Sequence, residues 1–167
     1  MEPNGRWLLY ACCCVGSALI VSGCQSGSGQ PIQYNHKVHV EEAGMDCVSC
    51  HVNVQSGARA TIPNIDVCQD CHSEEPSADK TELKKLFSYT SSNKKIPWRK
   101  VYRVDAHIFF SHRRHAVLGN ILCETCHGKV GEKMTPVTGR AVAITMKGCM
   151  DCHEKRGVAN DCLLCHR

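Results

Sequence analysis

Aromatic side chains are scarce in this chain: its 167 residues include two Trp, three Phe and four Tyr, 5% of the total. A domain of this length ordinarily buries a core rich in such residues and in branched aliphatics. The polypeptide alone lacks the material for one. Charge of one sign is also modest. Twenty Lys and Arg stand against sixteen Asp and Glu, a formal +4, which is too little to argue for a nucleic-acid partner. Long apolar runs are absent outside residues 7–22. Strand–helix alternation is not visible, which excludes a thioredoxin-like redox fold. Gly, Pro, Asn and Ser interrupt the chain at short intervals, so long helices and sheets are not expected.

What the chain has in excess is cysteine, fourteen in all. Ten of the fourteen fall in five copies of Cys-x-x-Cys-His: Cys47/Cys50/His51, Cys68/Cys71/His72, Cys123/Cys126/His127, Cys149/Cys152/His153 and Cys162/Cys165/His166, here sites 1 to 5. The spacing has a chemical reason. Two thiols three positions apart can each add to a vinyl group of one haem, and the next histidine then sits under the ring, where its imidazole can ligate the iron. Structural zinc also uses Cys-x-x-Cys pairs, and an exported chain with an even number of cysteines could form disulfides. Neither requires a histidine directly after every second cysteine. The expectation is five covalently bound haem c groups.

The remaining histidines match that count. Ten are present; five belong to the motifs, leaving His36, His39, His107, His112 and His115. Five irons with two imidazoles each need five such partners. Four of them form His-x-x-His pairs, His36/His39 and His112/His115, whose second members each precede a motif cysteine by eight residues. All ten histidines are therefore candidate axial ligands.

Residues 7–22 are apolar, follow a short segment with Arg6, and end at Val21-Ser22-Gly23-Cys24 before a Gly/Ser-rich stretch. This reads as an export signal. The Cys24 context resembles the lipobox of bacterial lipoproteins, which implies a signal over 1–23, lipid on Cys24 and a tether over 24–34. An uncleaved anchor of about minimum spanning length is the alternative. Either places the rest of the chain on the periplasmic side of a bacterial membrane, inner or outer. Removing residues 1–23 takes away Glu2 and Arg6, leaving the charge balance unchanged. Each haem adds about two propionate charges against about one positive ferric centre, so the basic balance offsets the cofactors.

The motifs fall into two groups, which suggests a two-haem module over 35–72, a connector over 73–106 and a three-haem module over 107–167. In the connector, a short helix is expected from Ser77 or Asp79 onward, with Leu83, Leu86 and Phe87 on one face. Residues 94–104 are basic and aromatic, extended around Pro97. They suit either a solvated connector, with Trp98 and Tyr102 packed on a haem edge, or a docking strip. The fold expected is small and mostly irregular, with short α-helices wrapped around the haems and little β beyond a hairpin near a His-x-x-His segment.

The groups are also imperfect repeats. Asn35-His36-x-x-His39 followed by Cys47-x-x-Cys50-His51 parallels Ser111-His112-x-x-His115 followed by Cys123-x-x-Cys126-His127. This order resembles the class III (tetrahaem) cytochromes c, and residues 109–166 resemble their trihaem relatives. The resemblance implies that His112 faces site 3, His115 site 4 and His36 site 1. His39 and His107 complete the set in an order left open. Those relatives also carry a histidine shortly before the second motif of the trihaem module. Here that stretch reads Ala143-Ile144-Thr145-Met146-Lys147-Gly148, so Met146 is a rival sixth ligand. Residues 96–102 leading into Phe109-Phe110-Ser111-His112 resemble the membrane-attached multihaem subunits of alternative complex III and related quinone reductase complexes. This implies a non-enzymatic electron-transfer subunit with iron–sulfur or quinone-binding membrane partners and no nucleic acid. A free-standing carrier is one alternative. A multihaem reductase with one open iron is the other, although the Cys-x-x-Cys-Lys motif of multihaem nitrite reductases does not occur.

Overall fold

The computed structural model describes residues 29–166; the signal-like segment, Cys24 and Arg167 lie outside the described residues. Helices are short and concentrated at the motifs. They are α1 (Cys47–Cys50), α2 (Ile65–Gln69), α3 (Thr81–Ser91), α4 (Cys123–His127), α5 (Met146–Lys155) and α6 (Cys162–Cys165). Among the described residues no strand forms; the one β feature is an isolated antiparallel bridge between Ile108 and His166. Short helices joined by irregular chain, with almost no β structure, are the architecture expected from the sequence.

Capping side chains start several of these turns. The Asp46 carboxylate accepts from the Ser49 backbone N–H at 2.8 Å and from its hydroxyl at 2.6 Å, fixing α1. Thr145 Oγ1 accepts from Gly148 N at 3.1 Å and opens α5. Both are N-cap contacts that satisfy amides a short helix would otherwise leave bare. The connector helix begins at Thr81, a little later than Ser77 or Asp79. Those two residues form a side-chain-bonded turn ahead of it instead, Ser77 Oγ to Asp79 Oδ1 at 2.6 Å.

The hairpin expected near a His-x-x-His segment is replaced by π-helical turns, Val38–Glu42 and Arg113–Leu118. The reason is local. One wide turn lets the second histidine of each pair reach its own i−4 carbonyl: His39 Nδ1 meets Asn35 O and His115 Nδ1 meets Ser111 O, both at 2.8 Å. The two turns end alike. Ala43 N bonds Val38 O at 3.0 Å and Gly119 N bonds Arg114 O at 2.9 Å. The chain then reverses through a positive φ at Gly44 (66°) and Asn120 (46°), the two residue types that enter this region most readily. The sequence repeat is thus a structural repeat.

The apolar core is small. Ile32, Ile65, Leu86 and Ile96 form its centre, with Cys68, Leu83, Tyr89 and Trp98 packed around them. Asn64 ties this cluster together, its side chain bonding Ile65 N and both backbone groups of Ile96 at 2.8–3.1 Å. Helices α1, α4, α5 and α6 bury no residue. Leu122 and Leu163 beside the motifs are 74% and 85% exposed. So small a core cannot offset an ordering cost of roughly 1–2 kcal/mol per residue.

Distant segments are nevertheless joined. Gln30 bonds Arg99 and Val137, Lys37 N bonds Lys133 O at 3.1 Å, and Tyr102 Oη accepts from Ala141 N at 2.8 Å. No described helix is long and apolar enough to cross a membrane.

Candidate haem-ligating histidine pairs

Each histidine that follows a motif lies near one of the five others. The ring centroids of His39 and His72 are 6.3 Å apart, those of His112 and His127 6.3 Å, and those of His115 and His153 6.1 Å. His107 and His166 are closer, at 5.5 Å and nearly parallel. The Ile108–His166 bridge and a 2.8 Å bond from Phe109 N to Cys165 O hold them together. His36 lies close enough to His51 to feel its charge. Two imidazoles on opposite faces of one metal, each nitrogen about 2 Å from it, place their centroids roughly 6 Å apart. The paired rings therefore fit a six-coordinate iron.

Hydrogen bonds fix which ring nitrogen is free. His39, His51, His112, His115 and His153 each direct Nδ1 at a backbone carbonyl: Asn35, Thr61, Ala58, Ser111 and Ala159, at 2.8–3.1 Å. A carbonyl can only accept, so Nδ1 carries the proton and Nε2 keeps its lone pair, as metal ligation requires. His36 differs: its Nδ1 is buried without a hydrogen-bond partner. Burial, then the charge of His51, pushes His36 down to about 4. Burial also lowers His127, with His112 adding to it, and lowers His112 against the opposing pull of the Ala58 carbonyl. These rings favour the neutral form that binds metal.

None of the ten motif cysteines forms a disulfide. Burial raises Cys50, Cys68, Cys126 and Cys149 above the ordinary thiol value. Among the described residues no three or more His, Cys, Asp or Glu side chains gather into a metal cage. Pairs would suffice for a haem, whose porphyrin supplies the other four nitrogens. Met146 opens α5 and is 66% exposed, while the ring 6.1 Å from His153 is that of His115.

The sequence does not reveal the role of two aromatic residues beside the histidine pairs. Tyr34 stacks on His39 (4.5 Å, 23°) and meets His36 edge-on (4.7 Å, 82°). Phe110 repeats this on His115 (4.6 Å, 25°) and His112 (4.9 Å, 90°). Extending the repeat upstream would have found them, since each stands two positions before a His-x-x-His. The aromatics of 94–104 face inward: Trp98 donates to Pro63 O at 3.0 Å and Tyr102 meets His127 edge-on at 4.5 Å.

Comparison with known proteins follows the same division. Residues 108–167 match the family of cytochrome c7 and related cytochromes c, and residues 21–96 match the class III cytochrome c family. The chain is also similar to the multihaem cytochrome c subunit of menaquinone reductase from Nitratidesulfovibrio vulgaris (strain Hildenborough). The two are 31% identical over 161 residues, covering 83% of this chain and 77% of that protein.

Proposed function

The chain belongs to the class III multihaem c-type cytochromes, and from that premise we propose that it is an exported, lipid-anchored pentahaem subunit of a quinone-linked respiratory complex. Cys47/Cys50, Cys68/Cys71, Cys123/Cys126, Cys149/Cys152 and Cys162/Cys165 would hold the five haem c groups covalently. The histidine pairs that would ligate the irons are His51/His36, His72/His39, His127/His112, His153/His115 and His166/His107. When bound, such groups supply one-electron exchange and nothing more, because two imidazoles close both faces of the iron.

The observation that carries the reading is the set of four imidazole pairs at 5.5–6.3 Å, each joining one motif histidine to one histidine outside the motifs. The protein's own groups then have defined tasks. Backbone carbonyls hold Nδ1–H and aim Nε2. Tyr34 and Phe110 keep neighbouring rings from turning. The depressed pKa of His36 keeps that ring unprotonated at neutral pH.

Membership of a quinone-linked complex rests on the relative, a menaquinone reductase subunit. Affinity purification of the tagged full chain from native membranes tests it. Co-elution of an iron–sulfur or quinone-binding membrane subunit is expected; a cytochrome that elutes alone after mild solubilisation would mark a free-standing carrier.

A further inference from the structure

Resting on the reading of the five motifs as haem sites, we propose that the sites stand in one unbranched line in the order 2–1–3–4–5. Sites 2 and 5 are its ends, and the junction of sites 1 and 3 is its single crossing between residues 35–72 and 107–167. This order differs from the order of the motifs in the chain, so sequence alone does not give it.

Four adjacencies compose the line. Sites 2 and 1 meet at Tyr34, whose ring touches His39 and His36, partners of His72 and His51. Cys50 and Cys68, one from each site, both lie near its phenol. Cys50 also lies near Cys71. Sites 3 and 4 meet in the same way at Phe110, which touches His112 and His115, and Cys126 lies near Cys149 and Cys152. Sites 4 and 5 are joined by a short linker folded back on itself. His153 Nδ1 donates to Ala159 O at 3.1 Å, and Asn160 Nδ2 donates to Met150 O at 2.9 Å. Cys149 then lies beside Cys165.

The crossing is built by residues 57–61. Thr61 O accepts from His51 of site 1 at 2.8 Å, while Ala58 O accepts from His112 of site 3 at 3.0 Å. His112 N and Arg113 N also bond Ala58 O and Gly57 O. One loop thus grips an imidazole of each site. Thr61 adopts φ 58°, a strained value for a β-branched residue, and its hydroxyl accepts from Asn53 Nδ2 at 3.2 Å. At this junction the Cys47 thiol lies close enough to Cys123 to feel its charge. In the haem-loaded protein these atoms would be thioether sulfurs, so their proximity marks where two attached haem edges would meet. Along the line each transfer oxidises one site and reduces its neighbour by one electron, with no bond made or broken. Exchange between the halves must therefore pass the 1–3 junction.

Two-dimensional NOE spectroscopy of the haem-loaded full chain, fully reduced with dithionite, reads this order directly. Inter-haem cross-peaks, which report protons close in space, are expected for pairs 2–1, 1–3, 3–4 and 4–5. Inter-haem cross-peaks from site 2 to site 3, 4 or 5 would overturn the order. Gly57→Val tests the crossing, since an added Cβ there meets Asn53 O at 3.1 Å and Arg59 O at 3.4 Å and presses these backbone carbonyls aside by a few tenths of an ångström. The variant is expected to weaken the 1–3 cross-peaks at least twofold while those of pairs 2–1 and 3–4 hold. Unchanged 1–3 cross-peaks, with the loop shown to be displaced by its amide shifts, would overturn the role of the loop. Intact mass separates failure of the haem reading (fewer than five additions) from failure of the order. Should the variant not mature, the wild-type cross-peak pattern still decides.

Discussion

Tyr34 lies face to face with His39, ring centroids 4.5 Å apart and planes inclined by 23°. Phe110 holds His115 in nearly the same way, at 4.6 Å and 25°. Because the hydroxyl is the only difference between the two aromatics, the repeat supplies its own control. Tyr34→Phe is expected to leave haem content and low-spin spectra unchanged. Tyr34→Ala and Phe110→Ala are each expected to cost roughly 3 kcal/mol. Each should broaden the signals of two sites: 1 and 2 for Tyr34→Ala, 3 and 4 for Phe110→Ala. Site-resolved NMR of the variants checks this; uniform broadening over all five sites would show that the aromatics serve only general packing.

The Tyr34 phenol is pushed up to about 12, first by burial and then by Cys50 and Cys68. Thioether formation removes the two thiol contributions but leaves burial. A neutral phenol favoured in the folded state adds stability below the ordinary value near 10, and that stability is lost as pH climbs above it through the raised folded-state value. Denaturation midpoints measured from pH 9 to 12 should fall across that window for wild type and more weakly for Tyr34→Phe.

Haem attachment is expected to be a condition of folding. The only sizeable buried cluster among the described residues centres on Ile32, Ile65, Leu86 and Ile96, and four of the motif helices bury nothing. Expression without the attachment machinery should yield a chain with little helical circular dichroism and rapid proteolysis. With the machinery, intact mass should show five haem additions; a stable, protease-resistant apo-chain would contradict the view that haem completes the core.

Cys24 follows Val-Ser-Gly in a lipobox-like context, outside the described residues. Cys24→Ala should abolish fatty-acid labelling and shift the chain from the membrane to the soluble fraction. Continued labelling at unchanged mass would mean that the lipid, if any, is carried elsewhere.

The parts legible in the sequence are those written in side chains. Cys-x-x-Cys-His declares itself through thiol chemistry, and the ten-histidine count pairs motif with non-motif residues. The His-x-x-His repeat exposed the relation between 35–51 and 111–127, and Leu83, Leu86 and Phe87 marked α3. What stayed hidden is carried by the backbone or by long-range contact. The acceptors for His51 and His112 are carbonyls of Thr61 and Ala58, and a carbonyl is present at every residue, so it leaves no signature. The π-helical turns escaped for a similar reason: their wide hydrogen-bond rings answer to the needs of two imidazoles rather than to intrinsic propensity. His107 could not be matched by spacing because its neighbour, His166, lies at the far end of the chain.

If every iron is held between two imidazoles, low-temperature magnetic spectroscopy of the oxidised protein should show only low-spin imidazole/imidazole centres. His115 stands 6.1 Å from His153, so site 4 should share the signature of the others, and Met146→Leu should leave all five low-spin imidazole/imidazole signals in place. A near-infrared thioether-to-iron band that disappears in Met146→Leu would contradict the account at site 4, and a high-spin ferric signal would mean that one iron has an open face and could bind substrate.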